Sequence, residues 1–289
     1  MYSDSLIRRV FKDVGMQFAY VNKEHLEYVL SICPKSKEKW ELFTNTMAND
    51  FKGDESRFFK ESERIIGKAT TQLDAVLENF TNEMIDAKLP KPDFDIISGK
   101  IYHPDNVGRD FLALDIIKGN FTSIKFFTGA YEGMDYDDFM SQFTDSEYFK
   151  QSKQIRQIVF GKCKPKLQHK MMERMTHVLA SGFQGQSYFS TGQDEIIVSL
   201  PFEMSNKLLD VITNTGLWEL FSKEHFTLDR TKSCSGYIKV NTRDEKITHH
   251  CVNKNDYIRH IKEVNGITDK NPMDNWFIHE GRLATFVEY

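Results

Sequence analysis

A chain of 289 residues with 40% hydrophobic and 28% charged positions can fill a large core as one or two domains, which excludes a disordered or fibrous chain. Its net charge of −4 excludes attraction of nucleic acid by bulk charge, so any such role must come from locally placed cations. Four cysteines (Cys33, Cys163, Cys234, Cys251) stand too far apart for a zinc site or a disulfide framework, and no stretch is apolar for long enough to span a bilayer. These features read as an intracellular protein, cytoplasmic or nuclear, with no membrane attachment.

Residues 1 to about 90 predict helices. Asn22 is placed to cap a segment through Leu26, Val29, Leu30 and Ile32, which Pro34 ends. From Ser56 to Lys88, apolar residues from Phe58 to Met84 recur at helical spacing, which predicts one long helix with a kink near Gly67. Leu89-Pro90-Lys91-Pro92 breaks that pattern and is the best domain boundary in the chain, giving a helical region 1–92 and a mixed region 93–289.

Phe94 to Tyr102 reads as a strand or hairpin turning at Ser98-Gly99. Phe111 to Ile117, FLALDII, is an apolar run that suits a buried central strand, interrupted only by Asp115. A carboxylate in such a run is costly unless partnered. A short helix or turn follows at Gly119 to Phe127, then predicted helices at 135–143, 146–160 and 165–180. Lys150, Lys153, Arg156, Lys162, Lys164, Lys166 and Lys170 make this the most basic part of the chain. Tyr188 to Pro201, YFSTGQDEIIVSLP, predicts a β-hairpin turning at Thr191-Gly192-Gln193, with Asp194 and Glu195 just past the turn. An amphipathic helix over 203–213, a second hairpin over 235–246 and a closing strand over 283–289 complete the reading.

A rigid hairpin tip with two carboxylates, and a third on a neighbouring strand, is what an enzyme uses to hold magnesium around a nucleotide's phosphates. Cations on a helix facing that place can hold the triphosphate. The order of these parts resembles the palm and fingers motifs of family A DNA polymerases. Phe111 to Gly129 is similar to their first motif, Lys153 to Gly161 to their fingers helix, and Gln193 to Pro201 to their hairpin motif. The resemblance implies that Asp115 and Asp194 bind Mg²⁺ or Mn²⁺ and that Glu195 is an accessory catalytic carboxylate. It also implies that Lys153 and Arg156 meet the triphosphate and that Phe160 lies beside the incoming base. The implied fold is α+β, with a helical N-terminal region and a polymerase-like palm whose antiparallel sheet is a split βαβ unit shared with reverse transcriptases, nucleotidyl cyclases and tRNA-histidine guanylyltransferases. Reduced fingers would occupy about 135–181.

The chain departs from that pattern in places. No acid follows Asp115 between Ile116 and Phe121, and Gln193 stands where the family's hairpin has a histidine. The expectation is a nucleotidyltransferase with nucleic acid and nucleoside triphosphates as partners. The alternative is a polymerase-derived protein that has lost its chemistry and binds nucleic acid or other proteins. The economy of the motifs suits a virus or mobile element. Plainer readings stand beside both: Asp194-Glu195 as a solvated turn, Asp115 as a cap for the turn at Lys118, the basic helix as a solvated face, and Phe160 as by default a core residue. His249, His250 and Cys251 alternate faces if they lie on a strand, which disfavours a shared metal.

Overall fold

The computed structural model describes residues 2–16, 22–93, 99–183, 188–191, 193–200, 216–232, 236–280 and 282–286. Five helices come first: α1 (Asp4–Val14), α2 (Lys23–Ile32), α3 (Pro34–Asn49), α4 (Glu55–Leu77) and α5 (Asn82–Lys88). Side-chain oxygens of Ser3, Asn22 and Asp54 accept from backbone N–H groups in the first turns of α1, α2 and α4. Pro34 does more than end α2. It occupies the first turn of α3, where its missing N–H costs nothing.

The single long helix predicted over 56–88 is two helices. The first runs unbroken past Gly67 and stops at Leu77, where the Lys164 ammonium donates to the carbonyls of Leu77 and Glu78 and so satisfies two groups that a helix end leaves open. The predicted 146–160 helix is also divided, into α8 (Glu147–Gln151) and α9 (Lys153–Lys162). Ser152 between them has extended backbone angles, and its hydroxyl both caps α9 and donates to Asp13. A tertiary partner thus outweighs continuous helical propensity.

The mixed part contains β1 (Asp110–Ile116), α6 (Gly119–Thr128), α7 (Tyr136–Ser141), α10 (Pro165–Ser181), β2 (Tyr188–Thr191), β3 (Glu195–Ser199), β4 (Phe221–Arg230), β5 (Gly236–Asn241), β6 (Ile247–Cys251), α11 (Tyr257–Val264), β7 (Trp276–His279) and β8 (Arg282–Thr285). β1 to β6 form one antiparallel sheet in the order β2-β3-β1-β4-β5-β6, and β7 and β8 pair separately. The chain is therefore α+β, with the predicted FLALDII strand at the centre. The predicted hairpins are β2-β3 and β5-β6. The expected helix over 203–213 and the expected strand and turn over 94–98 lie outside the described residues, as do the last three residues of the expected closing strand.

Alternation along β1 divides the interior. Leu112, Leu114 and Ile116, with Ile196 and Val198 of β3, belong to a large core that also takes in apolar residues of the helices from α1 to α10. Phe111 and Ala113 point the other way, into a smaller cluster with Ile197, Phe226, Leu228, Tyr237 and Ile101. The helical layer and one face of the sheet thus share one core. Apolar packing contributes about 25 cal/mol for each Å² withdrawn from water, so this shared core is the main reason for the two regions to stay docked. Among the described residues no helix is long and apolar enough to cross a membrane.

Candidate functional site

Asp115 is the last residue of β1 on the face away from the helices. Its Cα partners are Glu195 on β3 and Ser222 on β4. Period-two alternation then puts Asp115, Glu195, Ser222 and Glu224 on one face, since Glu224 pairs with Ala113 two residues back. Like charges directly opposite each other on a sheet are unfavourable unless something offsets them. The effect is visible at Asp115. Loss of hydration to the surrounding chain, then the charges of Asp194 and Glu195, push its carboxyl up to about 6, while Lys239 opposes that rise. The side chain still reaches solvent, which allows exchange with a ligand.

Asp194 stands at the hairpin tip, and three elements fix it. The Ile116 amide donates to the Asp194 carbonyl at 2.9 Å, and the Thr176 hydroxyl of α10 donates to the Gln193 carbonyl at 2.9 Å. The third element is Gly119, at the start of α6. A Cβ there would lie 3.4 Å from the Asp194 Cβ and 3.1 Å from Met172 Sδ, so a side chain at this position would press on the tip. The turn from β1 into α6 is tight because Lys118 adopts left-handed backbone angles (φ 52°).

The basic stretch divides into two groups, with Lys162 and Lys166 exposed and outside both. Lys150 pairs with Glu147, Lys170 and Arg174 pair with Asp86, and Lys164 caps α4, so these cations are structural. Lys153 and Arg156 make no ion pair among the described residues. With Lys118 they line a cleft of about 400 Å³ beside the α1 and α8 ends. Arg156 and Lys118 stack on one ring, lying 5.8 and 5.4 Å from the Tyr136 centroid. Phe160 is 2% exposed and packs 6.2 Å from Tyr136, so its ring is enclosed as core and supports Tyr136 from within. The start of α9 is anchored by Asp13, whose carboxylate accepts from Tyr148 Oη at 2.8 Å, Ser152 Oγ at 2.7 Å and the Gln154 amide at 2.8 Å.

Sequence reasoning misses Glu224, Lys239, Tyr102, Lys118 and Asp13. Lys239 lies 3.9 Å from Glu224 and 4.6 Å from the Phe226 ring centroid. Burial, then the charges of Glu195 and Glu224, push the Tyr102 phenol up to about 12. It also stacks on His250 at 3.8 Å. The alternation of FSKEHFTLDR is the available signal for Glu224. That signal is weak, because the partner strand is needed to say which face looks toward Asp115.

Among the described residues no three His, Cys, Asp or Glu side chains are drawn together closely enough to hold an ion as they stand. The chemistry of the donors fits a hard divalent cation even so. They are carboxylate oxygens on adjacent strands, and the Asp115 carboxyl is raised first by burial and then by the charges of Asp194 and Glu195, which Lys239 opposes. His249 and His250 do point to opposite faces. His250 stacks on Tyr102, and His249 Nδ1 lies 3.1 Å from His260 Nε2. No protein-family model, curated protein or solved structure matches the chain.

Proposed function

We propose that this chain is a palm-type nucleotidyltransferase, similar to a DNA polymerase, that acts on nucleic acid with Mg²⁺ or Mn²⁺. The observation that carries the reading is the direct pairing of Asp115 with Glu195 in a sheet where β3 separates β1 from β2, with Asp194 at the adjoining tip. That strand order is the one a split βαβ arrangement requires. Asp115 and Asp194 would hold the metal, and Glu195 would adjust its field or accept a proton from the attacking hydroxyl. Bound metal supplies charge neutralisation at the attacking and leaving oxygens. Lys118, Lys153 and Arg156 line the neighbouring cleft, make no ion pair among the described residues, and would orient a triphosphate. Tyr136, braced by Phe160, fixes two of those cations.

The test is incorporation of labelled deoxy- and ribonucleotides on primed DNA and RNA with Mg²⁺ or Mn²⁺, beside Asp194→Asn. Incorporation by the native chain that vanishes in the variant, with its fold retained, supports the reading. Equal incorporation by both removes Asp194 from the site. A second reading, a polymerase-derived protein that binds nucleic acid or serves as a structural factor without chemistry, is favoured by one feature. The Phe160 ring is enclosed, and α9 is packed on α4 and α1, so the elements that would serve as fingers are built into the core. Nucleic-acid binding with no incorporation under any condition is its outcome.

A further inference from the structure

The cleft holding Lys118, Lys153 and Arg156 does not end at α9. Gly15 and Lys39 line it and also line a second cleft of about 530 Å³, so the two share a wall. The second runs between the start of α3 and the β6–α11 region, with Lys35, Ser36, Thr248, His249 and Asn265 among its polar residues. No carboxylate is found among the described residues that line it. In the first cleft the carboxylates are Asp13, already saturated by Tyr148, Ser152 and the Gln154 amide, and Asp137. Lys35 and Lys39 are exposed and make no ion pair among the described residues. His249 is kept neutral first by burial and then by the nearby Lys35 charge.

We infer that the two joined clefts form one cationic groove, in which Lys35 and Lys39 take the phosphate backbone of a single nucleic-acid strand and lead it toward Lys118 and the Asp115 end of the sheet. The inference rests on the nucleic-acid reading above and adds a binding surface that the carboxylates do not supply. An extended groove with spaced cations and few acids suits a polyanion with a regular charge spacing, and a compact nucleotide would fill only one end.

The experiment is fluorescence anisotropy of labelled single-stranded DNA and RNA against the full chain, without metal or nucleotide, over a series of salt concentrations. The native chain is compared with a Lys35→Gln, Lys39→Gln double variant, whose thermal melt confirms folding. The inference expects at least about a fivefold loss of affinity in the variant, on all sequences alike, and a log–log salt slope shallower by roughly 1.4, from about 0.7 for each phosphate that a lysine no longer neutralises. Unchanged affinity and slope, or no binding by the native chain, would overturn it. Displacement of the strand by polyglutamate at equal charge concentration would also overturn it, by assigning the groove to an acidic protein segment. The incorporation assay with Asp194→Asn decides the enzyme reading separately, so failure of the groove and failure of the site give different results.

Discussion

Asp115 and Glu195 face each other as Cα partners across β1 and β3, and they do so where the sheet meets the tip that carries Asp194. Two carboxylates in that relation repel unless a proton or a cation stands between them. The Asp115 carboxyl, pushed up to about 6 first by burial and then by Asp194 and Glu195, takes up a proton more readily than an ordinary carboxylate.

That shift gives a signed pH prediction. Its folded-state value lies above the ordinary carboxylate value near 4, so the folded chain binds more protons than the unfolded chain between roughly pH 4 and 6. The stability contributed by Asp115 is present below about pH 4 and is lost as pH rises through 6. Asp115→Asn should therefore melt at a higher temperature than the native chain at pH 7, with the difference shrinking at about pH 4. Mg²⁺ should raise the native melting temperature at neutral pH and leave the variant unchanged. A variant less stable than native at neutral pH would show that the carboxylate is well compensated.

His260 titrates in the opposite sense. Burial first, then the neighbouring His249, bring its value down to about 4, below the ordinary imidazole value near 6.5. The folded chain resists its protonation, so its contribution is present above about pH 6.5 and is lost as pH falls toward 4. Gly236 makes this packing possible, since a Cβ there would overlap His260 Nδ1. Gly236→Ala should cost about 2 kcal/mol in denaturant unfolding. The NMR titration of His260 should move toward the free imidazole value in that variant as the ring is displaced.

Gly119 presents the same issue at the site. A methyl group 3.1 Å from Met172 Sδ and 3.4 Å from the Asp194 Cβ must push one of them. Gly119→Ala is expected to cost about 1 kcal/mol, and to lower incorporation further than that loss of stability explains. In a double-mutant cycle Gly119→Ala should cost less in a Met172→Ala background than in the native chain, because loss of the thioether gives the methyl room. If Gly119→Ala alone keeps full incorporation, Asp194 is not displaced.

Asp13 is distant in sequence from the basic helix and holds its first turn. Asp13→Ala leaves two hydroxyls and one amide without their acceptor, so urea unfolding should show a loss of about 3 kcal/mol. Asp13→Asn keeps one acceptor oxygen and should lose less. An alanine variant within about 0.5 kcal/mol of native would mean that water replaces the carboxylate freely.

What can be read from the sequence is what depends on near neighbours. The Asn22 cap, the β2-β3 hairpin and the burial of Phe111 to Leu114 and of Ile116 follow from spacing of a few residues, where local sterics and period-two or helical alternation act directly. Helix continuity is misread at Glu78 and Ser152 because the decisive partners, Lys164 and Asp13, come from elsewhere in the chain. Asp115, Asp194 and Glu195 can be nominated from sequence, since an acid in an apolar strand and two acids past a turn are unusual locally. Only the register of β1 on β3 decides that Asp115 meets Glu195, and a slip of one residue would turn one of them to the helical core. The tertiary structure alone divides the basic stretch into structural cations and those that line the cleft, because which lysine finds an acid depends on helix packing. It alone brings Glu224 to the face of Asp115, since that depends on which strand lies alongside and not on what precedes or follows Glu224 in the chain.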